Sequence, residues 1–425
     1  MSEDLQPPTI VLITRDYPFG VGEAFVQDEV SRLSRCGRLV VLPAYDANGS
    51  TPRPLPEGVV LDRTLIETSH STSLRPRIAA TLCAAAAREL RRRPDLLRST
   101  VTLGRAVGYL LRAGRVLAWV DDLRRRGETP GRVMAFWSNA EAFGMALAAR
   151  GDPSIMLVSR SHRFDVWEDQ NPGGYLPFRA EIALHSRRLL PSSRMAAEHL
   201  RSVLPVESNR VIVAPLGVEP PFEPRPRLNR DEVLIVSCST AAPVKRLPLV
   251  ASAIAAAAAD APSRRWRWAH LGGGAEQIEA VLRPEPANLA TEFPGWLPRE
   301  EIYRFHRDRQ PDCFVNLSSS EGVPLSIMEA LSMRVPVVAT AAGGTGEMID
   351  DSVGALLPVE VDPATAGAAI RRVVEAGEPM RTAARRRYEV EASTEVAMSA
   401  LERGLPEFFG DGKDRSPADH PRTRP

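Results

Sequence analysis

Short apolar runs alternate with longer amphipathic stretches along most of the chain. Residues 9–13 (TIVLI) read as a strand buried on both faces, because apolar positions follow one another without a period of two. A loop over 14–22 leads into 23–35, where Phe25, Val26, Val30 and Leu33 return at helical spacing. Gly37 stops that helix and 38–43 is apolar again, which completes a strand–helix–strand unit. Short strands recur at 133–137 and 155–159. Residues 219–230, EPPFEPRPRLNR, break the alternation, and their prolines make a stiff linker with a hinge of limited arc. The alternation then restarts with strand 233–237, an Ala-rich helix over 247–259, strand 267–271 running into Gly272, Gly273 and Gly274, and a helix near 275–282. Strand 292–294, helix 299–306, strand 313–315, helix 325–331 and strand 336–340 follow. This order in both halves predicts two doubly wound α/β domains facing one cleft. The expected limits are 1–218 for the first domain, 219–230 for the linker, 231–405 for the second, and 406–425 for a polar, disordered tail. A length of 425 residues agrees with two or three domains.

One stretch departs from the pattern. Residues 69–126 are helical in composition, rich in Ala and Leu, and basic, with thirteen Arg against four acids between Arg75 and Arg126. A solvated helical insert in the first domain and a patch for an anionic membrane both fit the runs at 91–93 and 124–126. For the whole chain the formal net charge is only +1, which leaves no global field for nucleic acid. Cys36, Cys83, Cys238 and Cys313 stand at no metal-ligand spacing and read as reduced thiols of a cytosolic protein. The N-terminal MSEDLQPPTIVLI is acidic and enters a strand directly, unlike a signal peptide. No apolar run approaches the roughly 20 residues that span a bilayer. A cytoplasmic protein is expected, touching the inner face of a membrane where the basic insert allows it.

The densest chemistry lies over 316–349, NLSSSEGVPLSIMEALSMRVPVVATAAGGTGEMI. A buried strand breaks at Ser318-Ser319-Ser320, Gly322-Val323-Pro324 makes a turn, and Pro324 suits the first position of a helix. Glu321 then sits in the loop and Glu329 about a turn and a half into the helix. Between them lie the orphan N–H groups of the helix's first turn and the positive end of its dipole. That combination suits an anion such as a diphosphate, flanked by carboxylates that accept hydrogen bonds from sugar or ribose hydroxyls. Taken alone, two acids at this spacing fit solvated surface charge equally well.

In its context this segment resembles the E-x7-E signature of the retaining, nucleotide-sugar-dependent glycosyltransferases of family 4 (glycosyltransferase group 1), which have the GT-B fold of two Rossmann-like domains. The resemblance implies that Glu321 lies near the donor sugar's hydroxyls and that Glu329 holds the ribose. Residues 159–165, SRSHRFD, resemble the family's R-x-H-x-x-D segment, which puts His162 against the donor sugar with Arg160 and Asp165 in support. Residues 239–246, STAAPVKR, resemble the phosphate-binding segment, in which an Arg and a Lys five residues later grip the diphosphate. Lys245 matches the Lys. Thr240 stands at the Arg position, and a hydroxyl cannot give a guanidinium's bidentate grip, so Arg246 is expected to compensate. Gly20 and Gly22 resemble the N-terminal loop whose glycines let the backbone approach donor and acceptor. Gly295 resembles the loop under the nucleotide base, residues 343–347 a loop beside the donor, and Arg334 stands where the family usually has glycine.

The implied machinery is Glu321, His162 and Lys245 as catalytic groups. Glu329, Arg246, Gly322, Val323, Leu325, Ser326, Thr240, Gly272 and Gly295 are expected on the donor, and Gly20, Gly22, Arg160 and Asp165 on the acceptor side. No metal and no cofactor is implied. The co-substrate is a nucleoside-diphosphate sugar, a UDP- or GDP-sugar, and the acceptor a hydroxyl of a glycan, glycolipid or small molecule. Two other classes keep the same fold: a nucleotide-sugar epimerase or hydrolase, and a non-catalytic scaffold or partner protein, which the departure at Thr240 makes conceivable.

Overall fold

A computed structural model describes residues 9–68, 75–226, 231–282 and 285–409. Two six-stranded sheets carry the chain. The first contains β1 (Thr9–Thr14), β2 (Arg38–Pro43), β3 (Val60–Leu61), β4 (Arg132–Ala135), β5 (Met156–Ser161) and β6 (Arg188–Pro191), in the order β3-β2-β1-β4-β5-β6. The second contains β7 (Glu232–Ser239), β8 (Arg265–Gly272), β9 (Leu289–Gly295), β10 (Cys313–Asn316), β11 (Val337–Thr340) and β12 (Gly354–Leu357), in the order β12-β11-β10-β7-β8-β9. Every pairing is parallel. Parallel strands need crossovers, and helices on both faces supply them, which is why the strands read as continuous apolar runs. In each sheet the winding reverses once, between β1 and β4 and between β7 and β10. Ligands of open α/β sheets bind outside the carboxyl ends of strands at such switch points. Those ends are Thr14 and Ala135 in one sheet, Ser239 and Asn316 in the other.

Packing explains the composition of several helices. The helix Leu247–Ala259 is almost wholly Ala and larger apolar residues because the helix Pro363–Arg387 lies tightly against it. At Gly367 an added Cβ would come within 2.9 Å of Ala253 O. The basic insert forms two helices, Pro76–Arg92 and Thr100–Arg125, the second N-capped by Ser99. Its first residues, 69–74, lie outside the described residues, as do 227–230 of the linker. The helix expected from residue 23 begins at Val26, because the Glu23 carboxylate is engaged in the preceding loop. Pro324 is extended and precedes the helix Leu325–Ser332 rather than starting it.

The C-terminal stretch corrects the expected domain limits. At Val218↔Ser393 the chain bridges back to the first domain, and an added Cβ at Gly217 would stand 2.5 Å from Ser393 O. The helices Thr394–Gly404 and Pro406–Phe409 then bury Met398, Leu401, Leu405, Phe408 and Phe409 in one core with Val26, Val30, Leu33, Leu190 and Ala214. Residues 394–409 therefore pack on the first domain, and 406–409 are a buried turn of helix rather than the start of a tail. The remainder of the expected tail, 410–425, lies outside the described residues.

Candidate active site

The second sheet builds its site where β7 and β10 part. The segment after β7 is tied to the loop after β10, with Ser319 N–H donating to Val244 O at 2.8 Å. That tie sets Lys245 Nζ 2.6 Å from Glu321 Oε1, and Asn316 Nδ2 donates to the same oxygen at 3.2 Å. Glu321 is 8% exposed, so the ion pair is largely shielded from water. Gly343, at φ +57°, lies so close that a Cβ would sit 1.9 Å from Glu321 O; only glycine closes this loop. Gly272 has the same role beside Ser239 O, at 1.9 Å and φ +137°. Thr240 is exposed.

Arg246 is a correction. Its backbone is left-handed (φ +47°), which turns the guanidinium away from Lys245. Nε donates to Leu317 O at 2.6 Å, Nη1 to Val359 O at 2.8 Å and Nη2 to Ser318 O at 3.3 Å. Arg246 fastens the loop that carries Glu321 and does not replace the arginine missing at Thr240. Arg334, by contrast, tolerates the left-handed turn expected of glycine (φ +63°), its guanidinium bonded to Glu378 and Thr382.

Glu329 projects from the second turn of its helix and is 7% exposed. Burial pushes its carboxyl up, and the Arg299 guanidinium pulls it back, Nε donating to Glu329 Oε1 at 2.8 Å. The same guanidinium reaches across to Asp28 Oδ2 of the first domain at 2.8 Å and to the Tyr303 hydroxyl at 3.1 Å. Nothing in the local sequence had marked Arg299, whose carboxylate partners, Asp28 and Glu329, lie far away along the chain. Gly295 (φ +78°) ends β9, and the exposed Trp296 after it lines a cavity of about 410 Å³ with Asp28, Arg53, Arg299 and Tyr303.

The first domain meets this loop with β5. His162 is 8% exposed, stacked on Phe136 and edge-on to Trp137. Its Nε2 lies 3.1 Å from Phe136 O, and a carbonyl only accepts, so Nε2 carries the proton and Nδ1 remains an acceptor. Burial, with the Arg160 cation adding, holds the imidazole down to about 3, so it is neutral at physiological pH. Asp165 accepts from His162 N–H at 2.6 Å and Ser138 N–H at 2.9 Å, tying two strand ends together, and burial pushes its carboxyl up to about 6. Arg160, expected on the acceptor side, is 2% exposed and faces inward, its guanidinium bonded to Glu29 at 2.6 Å and to Ala214 O at 2.9 Å. Gly20 (φ +61°) is gripped by Ser50 and Arg53, while Gly22 is exposed beside Asp16. The loop holding them hangs on Glu23, which was not singled out from sequence: its carboxylate accepts from the N–H groups of Arg15, Asp16 and Tyr17 and from Trp137 Nε1.

Contacts between the domains bring these parts together. An added Cβ on Gly322 would be 3.3 Å from Arg163 Cβ and 3.7 Å from the His162 carbonyl carbon. Arg163 Nε donates to Ser320 Oγ at 2.8 Å. Glu347 accepts from the N–H groups of Arg194 and Met195, at 2.9 and 3.0 Å, so the loop 343–347 caps a helix of the other domain. Lys245, Glu321, Gly322 and His162 thus share one cleft, Glu329 flanks it with Arg299, and Arg160 and Arg246 lie behind it. Among the described residues, no group of three His, Cys, Asp or Glu side chains is placed to hold a metal, and no helix is long and apolar enough to cross a membrane.

The depressed imidazole makes acid stability a test of this packing. Below the unfolded value of 6.5 the unfolded His162 takes up a proton that the folded one refuses until about pH 3. The folded state therefore loses stability over that window, by roughly 3 kcal/mol at pH 4.5 from this group. Asp165 acts in the opposite sense between pH 6 and 3.8, since its raised carboxyl gains its proton first in the folded state. His162→Gln is expected to be less stable than wild type at pH 7, with the gap narrowing toward pH 4.5 in thermal unfolding. A constant gap would show the imidazole to be solvated.

Residues 220–390 match the model of the family described as glycosyl transferases group 1. The chain is 29% identical over 256 residues to the D-inositol 3-phosphate glycosyltransferase of Frankia alni, covering 54% of this chain and 61% of that protein. It is 22% identical over 240 residues to the putative colanic acid biosynthesis glycosyltransferase WcaL of Escherichia coli, covering 54% and 59%. The chain thus spans about three-fifths of the length of these curated relatives. Sucrose-phosphate synthase from Thermosynechococcus elongatus superposes with a TM-score of 0.68 at 16% identity, over 94% of this chain and 98% of that one. The fold is GT-B, as the family resemblance implied, and its two doubly wound sheets are those the alternating strands and helices predicted.

Proposed function

We propose that this GT-B chain, whose residues 220–390 match the model of glycosyl transferases group 1, moves a hexosyl group from a nucleoside-diphosphate sugar to an acceptor hydroxyl. The observation that carries the reading is the pair of Lys245 and Glu321 at the mouth of a helix N-terminus, with Glu329 one turn deeper. A departing diphosphate is a dianion, and Lys245 with the N–H groups of Gly322, Val323, Leu325 and Ser326 would receive it. Among the described residues, no protein acceptor takes those four N–H groups. Glu329 is read as the ribose acceptor, and Glu321 and the free Nδ1 of His162 as contacts for the sugar hydroxyls. The metal-free reading rests on the lysine: it supplies the positive charge that a divalent ion would otherwise bring. Retention of anomeric configuration follows if the departing phosphate takes the acceptor's proton on the face it leaves, and His162, neutral and bonded to a carbonyl, is a poor candidate for a base on the other face. The acceptor would enter beside Gly20 and Gly22. A glycan or glycolipid acceptor is favoured, with the reaction in the cytoplasm and at the inner membrane face when the acceptor is lipid-borne.

Calorimetry with UDP-, GDP- and ADP-sugars in the presence of a chelator tests the donor side. Binding of one of them is expected, with UDP- and GDP-sugars ahead. Failure of all three would leave a scaffold as the better reading, and binding only after a divalent ion is added would remove the metal-free assignment. For a bound donor, the anomeric configuration of the product, read by proton NMR, decides retention.

A further inference from the structure

The helical insert carries a surface that the transferase site does not use. Large exposed apolar side chains crowd into one short stretch: Leu97, Val101, Leu103, Val107 and Leu111, with Leu97 67% and Leu111 56% exposed. On the helix Thr100–Arg125, Leu103, Val107 and Leu111 recur every four residues, so they share one face, with Val101 on its edge. Gly104 and Gly108 lie between them, and an added Cβ at either would meet no atom within 4 Å. From Thr100 to Leu111 no charged residue stands on this face; Arg115 follows four residues after Leu111, its guanidinium held by Leu65 O and the Tyr45 ring. Arg105 and Arg112, seven apart, border one side of it, and the exposed Arg98 stands at its start.

The charge near this face is not the charge the sequence advertises. In the runs at 91–93 and 124–126, Arg92 pairs with Glu181, Arg93 with Asp95, Arg124 with Asp152, Arg125 with Asp122 and Arg126 with Glu128. Arg112 is held by Glu141 at 4.0 Å and the Tyr45 hydroxyl at 3.5 Å, whereas Arg98 has no ion-pair partner among the described residues. Arg105 bonds only the neutral amide of Asn171, at 2.8 Å, and so keeps its charge. Asn171 in turn donates to Phe164 O at 2.6 Å, and Phe164, itself exposed, lies two residues beyond His162. An uncharged apolar stripe with arginines along one edge is the arrangement that lies in a lipid interface, aliphatic side chains among the acyl chains and guanidinium groups at the phosphates.

We propose that this face of the insert docks the protein on an anionic bilayer and sets the sugar end of the cleft against the lipid surface. The docking itself is independent of the transferase reading; only its purpose, presenting a lipid-borne acceptor, rests on it. The test is sedimentation of the full-length protein with phosphatidylglycerol-containing vesicles and with pure phosphatidylcholine vesicles. Wild type is expected to sediment with the first and far less with the second. Val107→Glu and Leu111→Glu should abolish binding, and Arg98→Gln should weaken it about fivefold. These side chains point to solvent, so unchanged thermal unfolding is expected and is measured alongside. Absence of wild-type binding to either vesicle, or equal binding to both, overturns the proposal. So does a concentration-dependent dimer, seen by sedimentation velocity, that Val107→Glu dissolves, since the stripe would then face a second copy. Donor calorimetry on the same Val107→Glu sample separates the two readings: donor binding retained while vesicle binding is lost supports docking, and donor binding absent from wild type too counts against the transferase alone.

Discussion

Lys245→Ala is expected to lower turnover by about 10²- to 10³-fold, the usual loss when one charge-stabilising donor is removed from a transferring site. The size follows from what surrounds it. Thr240 supplies no positive charge, and Arg246 spends its guanidinium on the carbonyls of Leu317, Ser318 and Val359. Lys245 is therefore the one basic side chain that the loop sets beside the helix N-terminus. Its loss also leaves Glu321 with only the Asn316 amide at 3.2 Å, so a modest fall in stability should accompany the loss of rate. The double variant Lys245→Ala/Glu321→Gln separates the two effects, because it removes the unpaired charge without restoring a cation. Thermal stability should recover and turnover should not. Steady-state kinetics with a bound donor checks the first part, and wild-type turnover in Lys245→Ala would exclude a phosphate role for this lysine.

How much of this was legible beforehand depends on how far apart in sequence the partners stand. The strands were readable because a strand buried on both faces leaves an apolar run whatever packs on it, and β1, β7 and β10 fall where those runs are. The loop with Glu321 and the helix with Glu329 were readable for the same reason: turn, proline and helix are local chemistry. Arg246 was not. It is adjacent to Lys245 and identical in charge type, and only the left-handed backbone at Arg246, invisible in a list of residues, sends the two cations in opposite directions. Arg299 escaped notice, and Glu347 was read only as part of a loop beside the donor, because each acts on a partner in the other domain, Asp28 and Arg194, and a single charge carries no periodicity to find. The C-terminal helix is an intermediate case. Its apolar positions Met398, Leu401, Leu405 and Phe408 run across the limit drawn at 405, and which domain they cover is decided by the bridge at Val218 and Ser393.

Arg299→Met is expected to be the most destabilising substitution in the cleft, by about 3–5 kcal/mol, because it strands two carboxylates at once. Glu329 and Asp28 are both largely buried, their side chains 9% and 13% exposed, and the same guanidinium bonds both at 2.8 Å. Asp28→Asn weakens one of the ties between the domains, along with the bond Asp28 Oδ2 accepts from Glu219 N–H at 3.1 Å, and leaves Glu329 paired, so it should cost about 1 kcal/mol and loosen closure instead, visible as a larger radius of gyration in solution scattering. The two variants should also part in their response to pH. Burial already pushes the Glu329 carboxyl up, with Arg299 as the main force opposing it. Without that cation the carboxyl rises further and holds its proton to a higher pH than in wild type. An ionised Glu329 accepts two ribose hydroxyls where a protonated one accepts fewer, so donor affinity in Arg299→Met should improve as pH rises, while Asp28→Asn, like wild type, stays flat over the same range. A pH-independent loss of affinity in Arg299→Met would mean that the arginine touches the donor directly rather than holding Glu329 in its ionised form.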